Sequence, residues 1–148
     1  MELRELYQEI ILDHGKNPRN KGKCIGYSHD AQAHNPLCGD KVHIYLKLDK
    51  EKKVLDLSFE GEGCAISLAS ASILTETLKG KDLFFVKKVT EDFLNMVKNK
   101  KKITLNSLTE NQVTTITSLS GVQEIPMRVK CGTMAWHAFM AAIEKKIS

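Results

Sequence analysis

The chain has 148 residues, of which 42% are hydrophobic, and a formal net charge of +4 from 22 basic and 18 acidic residues. This length and composition exclude intrinsic disorder and predict one globular domain over residues 1–148. The mild, scattered positive charge and the few aromatic residues exclude a nucleic-acid-binding surface. No window approaches the roughly 20 apolar residues that span a bilayer, and no signal peptide is evident. We therefore expect a cytoplasmic protein with no membrane partner.

The N-terminal half of the chain predicts one helix followed by strands. Apolar residues recur at helical spacing over residues 3–14, and Gly15 follows as a stop signal. Three strands are then predicted near residues 25–34, over 41–49 and over 53–60, because apolar and polar residues alternate there. A short polar turn at 49–52 joins the last two. Consecutive strands of this kind pair most simply as a three-stranded antiparallel meander.

The chain after residue 64 predicts helices. A helix rich in alanine and serine covers residues 65–79 and ends at Gly80. Small side chains let such a helix pack closely on a sheet. The next helix is expected over residues 91–99, with Thr90 as its N-cap.

Two more helices are predicted near the C-terminus. Ser107 and Glu110 have capping-box spacing, so a short helix is expected to run to about Leu119. Pro126 suits the first turn of the last helix or the turn before it. The buried stripe of that last helix is expected to contain Met134, Ala135, Ala138, Phe139 and Ala142. The predicted fold class is α+β, a three-stranded antiparallel meander with helices packed on one face.

The stretch Gly61-Glu62-Gly63-Cys64 joins the third predicted strand to the helix that follows. Its two glycines permit a sharp turn between these elements. Cys64 therefore lies at or just before a helix N-terminus, where the partial positive charge of the helix favours a thiolate.

Two other cysteines have comparable surroundings. Cys38 and Asp40 are two residues apart at the start of a strand, where such residues point the same way. Cys131 lies near the predicted start of the last helix. With Cys64 they offer three sulfurs and one carboxylate, which is a full tetrahedral set for Zn²⁺. Thiolates also suit iron–sulfur clusters and sulfur transfer.

The residues alone leave a simpler alternative open. Free cysteine is among the most buried residue types and often only fills space in a core. The spacings between the three cysteines, 26 and 67 residues, match no local zinc-finger pattern. Cys24 has no comparable surroundings and is interpreted as structural. The histidines are interpreted as surface or core groups, with His14 serving a helix end, and Glu62 as a solvent-facing turn residue.

Several motifs taken together resemble one known family. They lie at residues 12–14, 17–20, 35–40, 59–67 and 128–131, and include Asn-Pro-Leu-Cys-Gly-Asp and Gly-Glu-Gly-Cys-Ala-Ile-Ser. Over nearly its whole length the chain is similar to the SufU branch of the IscU and NifU N-terminal iron–sulfur assembly proteins. The resemblance implies that Cys38 accepts a persulfide, and that Cys38, Asp40, Cys64 and Cys131 bind the metal.

The resemblance also implies a function and partners. A pyridoxal-phosphate cysteine desulfurase, similar to SufS, would pass persulfide sulfur to Cys38 of a zinc-bound sulfurtransferase, with Arg128 as a docking contact. A downstream iron–sulfur scaffold would receive the sulfur. Lys130 stands where scaffold proteins carry histidine, and the segment between Cys64 and Cys131 is longer than theirs. Both departures favour sulfur transfer over the alternative, an IscU-type scaffold that assembles a [2Fe–2S] cluster on bound iron. A third interpretation, a structural zinc domain, fits the shared motifs least.

Overall fold

The computed structural model describes residues 3–36, 39–99 and 108–144. Within these ranges a helix precedes three strands, and helices follow. The elements are α1 (Leu3–Lys16), β1 (His29–Asn35), β2 (Asp40–Leu48), β3 (Val54–Glu62), α2 (Ala65–Leu78), α3 (Leu83–Asn99), α4 (Glu110–Leu119) and α5 (Val129–Glu144). Two short 3₁₀ helices, Ser120–Glu124 and Pro126–Arg128, lie between α4 and α5. None of the helices in the described ranges is both long and apolar enough to cross a bilayer.

The strands form the predicted antiparallel meander. Their order is β1-β2-β3, with Asn35 opposite Asp40 and Lys41 opposite Glu62. Helix α5 packs on β1 and β2, while α2 packs on β3. The α+β prediction is therefore confirmed. This register brings the start of β2, where Asp40 lies, next to the end of β3, from which the chain turns into α2.

Helices α2 and α5 are joined through small and polar residues in the core. The indole nitrogen of Trp136 donates to Ser70 Oγ at 2.9 Å, and Ser70 donates to the carbonyl oxygen of Gly132 at 2.5 Å. Trp136 is fully buried and stacks on Phe93, with 4.2 Å between ring centroids. A buried hydroxyl without partners would destabilise the core, so these bonds favour one relative position of the two helices. That position places the first turn of α5 beside α2.

The predicted start of helix α3 and the predicted role of Thr90 as its N-cap were wrong. Helix α3 begins at Leu83 rather than at residue 91, because Asp82 caps it by accepting the N–H of Phe85 at 2.8 Å. Thr90 lies inside this helix and donates its hydroxyl to the Val86 carbonyl one turn earlier, so it does not act as a cap.

The capping box of α4 is displaced from its predicted position. Thr109 is the N-cap, its side chain accepts from the Gln112 N–H, and the Gln112 side chain accepts from the Thr109 N–H. Ser107 lies outside the described residues. The same Ser/Thr-x-x-Glu/Gln pattern occurs twice within six residues, so the pattern alone could not distinguish the two starts. The end of α4 at Leu119 agrees with the prediction.

His14 connects the end of α1 to the middle of α2. It is 4% exposed, and its Nδ1 lies 2.7 Å from Ser72 Oγ, which also accepts the N–H of Arg19 at 2.8 Å. Burial lowers the pKa of His14 below its usual value of 6.5, and the charge of Arg19 lowers it further. A neutral imidazole that accepts the Ser72 hydroxyl at Nδ1 fits both observations.

The stability of the protein should therefore fall when the pH falls below about 6.5. Because the folded pKa of His14 is depressed, its contribution is complete above the unfolded pKa and is lost as the pH falls through the folded value. We expect urea unfolding to show a larger loss of stability in the wild type than in His14→Gln between about pH 7.5 and about pH 5. The pKa of His137 is also lowered. Its effect on stability is the same in the wild type and in His14→Gln, so it cancels when the two proteins are compared. An identical loss in both proteins would contradict this assignment.

Candidate metal centre

The turn from β3 into α2 places Cys64 at the start of a helix. Cys64 is the N-cap residue of α2, with extended backbone angles (φ −73°, ψ 160°) and no side-chain capping bond. Its thiol is therefore available for other contacts, beside the positive end of the helix dipole. The side chain is partly exposed. The predicted position of this cysteine is thus the observed one.

Gly63 is required by the close approach of Asp40 to this turn. The backbone of Gly63 has φ +135°, and a Cβ built there would lie 2.1 Å from Asp40 Oδ1 and 2.9 Å from Asp40 Cα. No side chain can occupy that space without displacing Asp40. The glycine therefore serves the site as well as the turn, and this second role is visible only in the tertiary structure.

The carboxylate of Asp40 is held by groups from the start of α2. Its Oδ1 accepts the N–H of Cys64 at 2.9 Å, and its Oδ2 accepts the hydroxyl of Ser67 at 2.5 Å. Cys64 Sγ lies 3.3 Å from Oδ2. Asp40 is 1% exposed, and a buried carboxylate is stable only when it is paired or hydrogen-bonded. These bonds fix the orientation of the carboxylate toward Cys64.

Cys131 completes a cluster of three potential ligands. It lies in the first turn of α5 and is 1% exposed. The Sγ atoms of Cys64 and Cys131 and a carboxylate oxygen of Asp40 all lie within 4.8 Å of one another. Ligands that share a tetrahedral Zn²⁺ are roughly 3.3–3.8 Å apart, so a small contraction would bring all three to one ion. Two soft sulfurs and one oxygen suit zinc or iron rather than magnesium or calcium.

The structure thus joins three of the four predicted ligands, from β2, the start of α2 and α5. Cys38, the fourth, lies outside the described residues, two positions before Asp40 in the chain. Arg128, the predicted docking contact, is exposed in the 3₁₀ helix that leads into α5. Cys24 lies elsewhere, buried, with its Sγ 3.3 Å from Asp56 Oδ2.

Two residues near the cluster were not identified from the sequence. Ser67 was interpreted as a small packing residue, yet it donates to Asp40; its position one turn after Cys64 was the available signal. Tyr7, on α1, has a buried hydroxyl with no hydrogen-bond partner among the described residues. Burial raises the pKa of this phenol, the Cys64 and Cys131 thiolates raise it further, and Arg128 opposes them. In the sequence Tyr7 is only one member of an apolar helical stripe.

Comparisons with known proteins identify the family of this chain. The NifU-like N terminal domain matches residues 6–113. A Bacillus subtilis protein named zinc-dependent sulfurtransferase SufU is 40% identical over 144 residues, which are 97% of this chain and 93% of that protein. The iron–sulfur cluster assembly scaffold protein IscU of Streptococcus pyogenes is 35% identical, covering 97% and 86%.

A solved structure of a similar protein has the same fold. The crystal structure of a putative iron–sulfur cluster assembly scaffold protein for the SUF system, from Fervidobacterium islandicum, superposes with a TM-score of 0.80. It is 31% identical, and the match covers 95% of this chain and 98% of that one. The fold, the clustered cysteines and these relatives agree with the resemblance found in the motifs: the chain belongs to the NifU-like N-terminal domain family of iron–sulfur cluster assembly proteins, which includes SufU and IscU.

Proposed function

We propose that this protein is a zinc-bound sulfurtransferase that accepts persulfide sulfur on Cys38 from a pyridoxal-phosphate cysteine desulfurase. The single observation that carries this proposal is the convergence of Asp40, Cys64 and Cys131 within 4.8 Å. Asp40 follows Cys38 by two positions in the chain. The relative that is 40% identical is named a zinc-dependent sulfurtransferase. Cys38 is assigned as the fourth ligand of the ion and as the sulfur acceptor.

The proposed ligands explain the preference for zinc and determine the net charge of the site. Zinc binds thiolates strongly, and bound zinc would keep the cysteines deprotonated near neutral pH. Three thiolates and one carboxylate carry more negative charge than the ion neutralises. The positive end of α2 at Cys64 and the guanidinium of Arg128 would offset part of this excess.

The sulfur transfer itself is a thiol–disulfide exchange. The Cys38 thiolate attacks the outer sulfur of the persulfide on the desulfurase, the sulfur–sulfur bond there breaks, and the cysteine of the desulfurase leaves as a thiolate. Cys38 then carries the persulfide. Asp40, two positions after the reacting cysteine in the chain, has its carboxylate fixed by Ser67 and the Cys64 N–H. A downstream iron–sulfur scaffold in the same cytoplasmic pathway would receive the sulfur.

Removing the acceptor sulfur tests this assignment. We expect Cys38→Ala to capture no persulfide when the desulfurase is supplied with cysteine, since no other cysteine replaces Cys38 in the reaction. The measurement is the mass gain of one sulfur atom on the intact protein, with metal content determined on the same sample. Cys24→Ala, which removes a cysteine outside the cluster, is the matched control and should capture sulfur normally. Undiminished capture by Cys38→Ala with its metal retained would remove Cys38 from this role.

A second candidate function is supported by the IscU relative, which is named a scaffold and is 35% identical. The same sulfurs could hold an assembling [2Fe–2S] cluster. Lys130 directly precedes Cys131 and provides no additional metal ligand, because its ammonium group lacks a lone pair. Anaerobic purification with metal analysis separates the two functions. Tightly bound stoichiometric zinc supports the sulfurtransferase, and a coloured, transferable cluster supports the scaffold.

A further inference from the structure

A groove lies between the end of β1, the end of α3 and the first turns of α5. Its volume is about 400 Å³, within the range of ligand and side-chain binding pockets. The walls are mainly apolar and include Ala33, Pro36, Val129 and Met134. An apolar concavity of this size at the surface is a site where another molecule can bury a hydrophobic group.

The rim of this groove is basic. Lys98 and Lys130 contribute ammonium groups, and His34 and His137 contribute imidazoles; all four side chains are exposed. None of the described residues that line the groove is Asp or Glu. Burial and, secondly, the charge of Lys98 lower the pKa of His137, so the positive charge of this rim rests on Lys98 and Lys130 rather than on His137 near neutral pH. The occupant that complements this surface carries negative charge around an apolar group.

The groove adjoins the ligand cluster, because Asn35 in its wall is paired with Asp40 across β1 and β2. Asn35 and Pro36 form part of its wall and directly precede the segment that contains Cys38. Val129 and Lys130 form another part and directly precede Cys131, a member of the ligand cluster. An extended chain advances about 3.3–3.6 Å per residue. A segment in the groove therefore has its neighbouring residues near the site.

We infer that the groove docks an acidic segment with an apolar side chain, adjacent to the persulfide-bearing cysteine of the desulfurase. This inference rests on the proposed function, because the desulfurase must bring its own cysteine to Cys38. The apolar side chain fills the groove, and the acidic residues beside it pair with Lys98 and Lys130. The segment is thereby fixed at one end while the cysteine next to it reaches Cys38.

Two substitutions in the full-length protein test separately how the basic rim and the apolar groove contribute to binding of the desulfurase. Lys98→Glu should lower the association rate constant with the desulfurase of the same organism about 3–10-fold and weaken its salt dependence, since Lys98 is a rim charge. Ala33→Phe should fill the groove and raise the dissociation rate constant at least about tenfold. Surface plasmon resonance over a range of ionic strength measures both.

Matched controls are available on the same elements. Lys87→Glu makes the same charge change on the same face of α3, three turns earlier and roughly 16 Å away. Gln32→Phe adds the same ring to β1 on the opposite side of the strand. Both controls should bind as the wild type does. Melting temperature and metal content are compared for every variant, so that a folding defect is recognised.

The outcomes distinguish this inference from the proposed function. If the wild type captures sulfur and both groove variants bind like the controls, the groove is not the docking site although the sulfurtransferase proposal stands. If the wild type neither binds the desulfurase nor accepts sulfur, both proposals are overturned. If Ala33→Phe converts a dimer of the protein alone into a monomer by light scattering, the occupant is a second copy of the chain and the inference is wrong.

A measurement on the unmodified protein provides an independent test. Hydrogen exchange at the amides of residues 129–134 should slow on addition of the desulfurase, because this first part of α5 lines the groove and a bound segment would restrict its local opening. Unchanged exchange in this segment, under conditions where the complex forms, would overturn the inference without any substitution.

Discussion

A Gly63→Ala variant is expected to be destabilised by about 2–6 kcal/mol and to lose metal affinity roughly 10–100-fold. The new methyl group would lie 2.1 Å from Asp40 Oδ1 and 2.7 Å from Asp40 Cγ. Asp40 cannot rotate away freely, because Ser67 and the Cys64 N–H hold its carboxylate. The backbone at Gly63, with φ +135°, is also unfavourable for alanine. Both the turn and the ligand must therefore move.

Gly80→Ala is the control that separates backbone strain from the steric clash. Gly80 also has a positive φ, +84°, but no atom outside its chain neighbours lies within 4 Å of the position of its Cβ. This variant should lose only about 1–2 kcal/mol and bind metal normally. Urea unfolding and competition with a zinc chelator measure the two effects. The role assigned to Gly63 is wrong if its substitution is no more harmful than that of Gly80.

A Cys131→Ala variant is expected to bind zinc at least about 100-fold more weakly than the wild type. Structural zinc sites contribute about 10–16 kcal/mol in binding free energy, shared among four ligands, so the loss of one thiolate removes several kcal/mol. Cys131 lies within 4.8 Å of the two other described candidate ligands, Asp40 and Cys64, and is 1% exposed. Competition with a chromophoric chelator at fixed pH measures the change in affinity.

Cys24→Ala provides a matched control for this loss. Cys24 is also buried, at 3% exposure, but its sulfur contacts Asp56 and lies outside the ligand cluster. Both variants delete one buried sulfur, so a similar small loss of folding stability is expected in the metal-free proteins, on the order of 1 kcal/mol. Only Cys131→Ala should lose zinc. Retention of wild-type zinc affinity by Cys131→Ala would show that Cys131 is not a ligand.

Local patterns in the sequence were sufficient for much of the fold. Alternation of apolar residues predicted the meander, and helical spacing predicted α1 and α5, because these periods follow from backbone geometry within a few residues. Helix α2 was predicted from its alanine- and serine-rich composition and from Gly80 at its end. The glycines before Cys64 predicted a helix N-terminus there, and the structure has one. The start of α3 was missed because Thr90 also has the residue type of a cap. Only the structure shows that its hydroxyl bonds within the helix.

By itself the sequence determined the fold class and the family, and it predicted Cys38, Asp40, Cys64 and Cys131 as candidate metal ligands. The tertiary structure decided which residues surround these candidate ligands. Gly63 lies against Asp40, Ser67 donates a hydrogen bond to the Asp40 carboxylate, and Tyr7 lies near the two thiols. The tertiary structure also decided that β1, α3 and α5 enclose a basic-rimmed groove beside the cluster. The reason is that hydrophobic periodicity depends on neighbours along the chain. Distances between elements depend instead on how side chains from the whole core pack together.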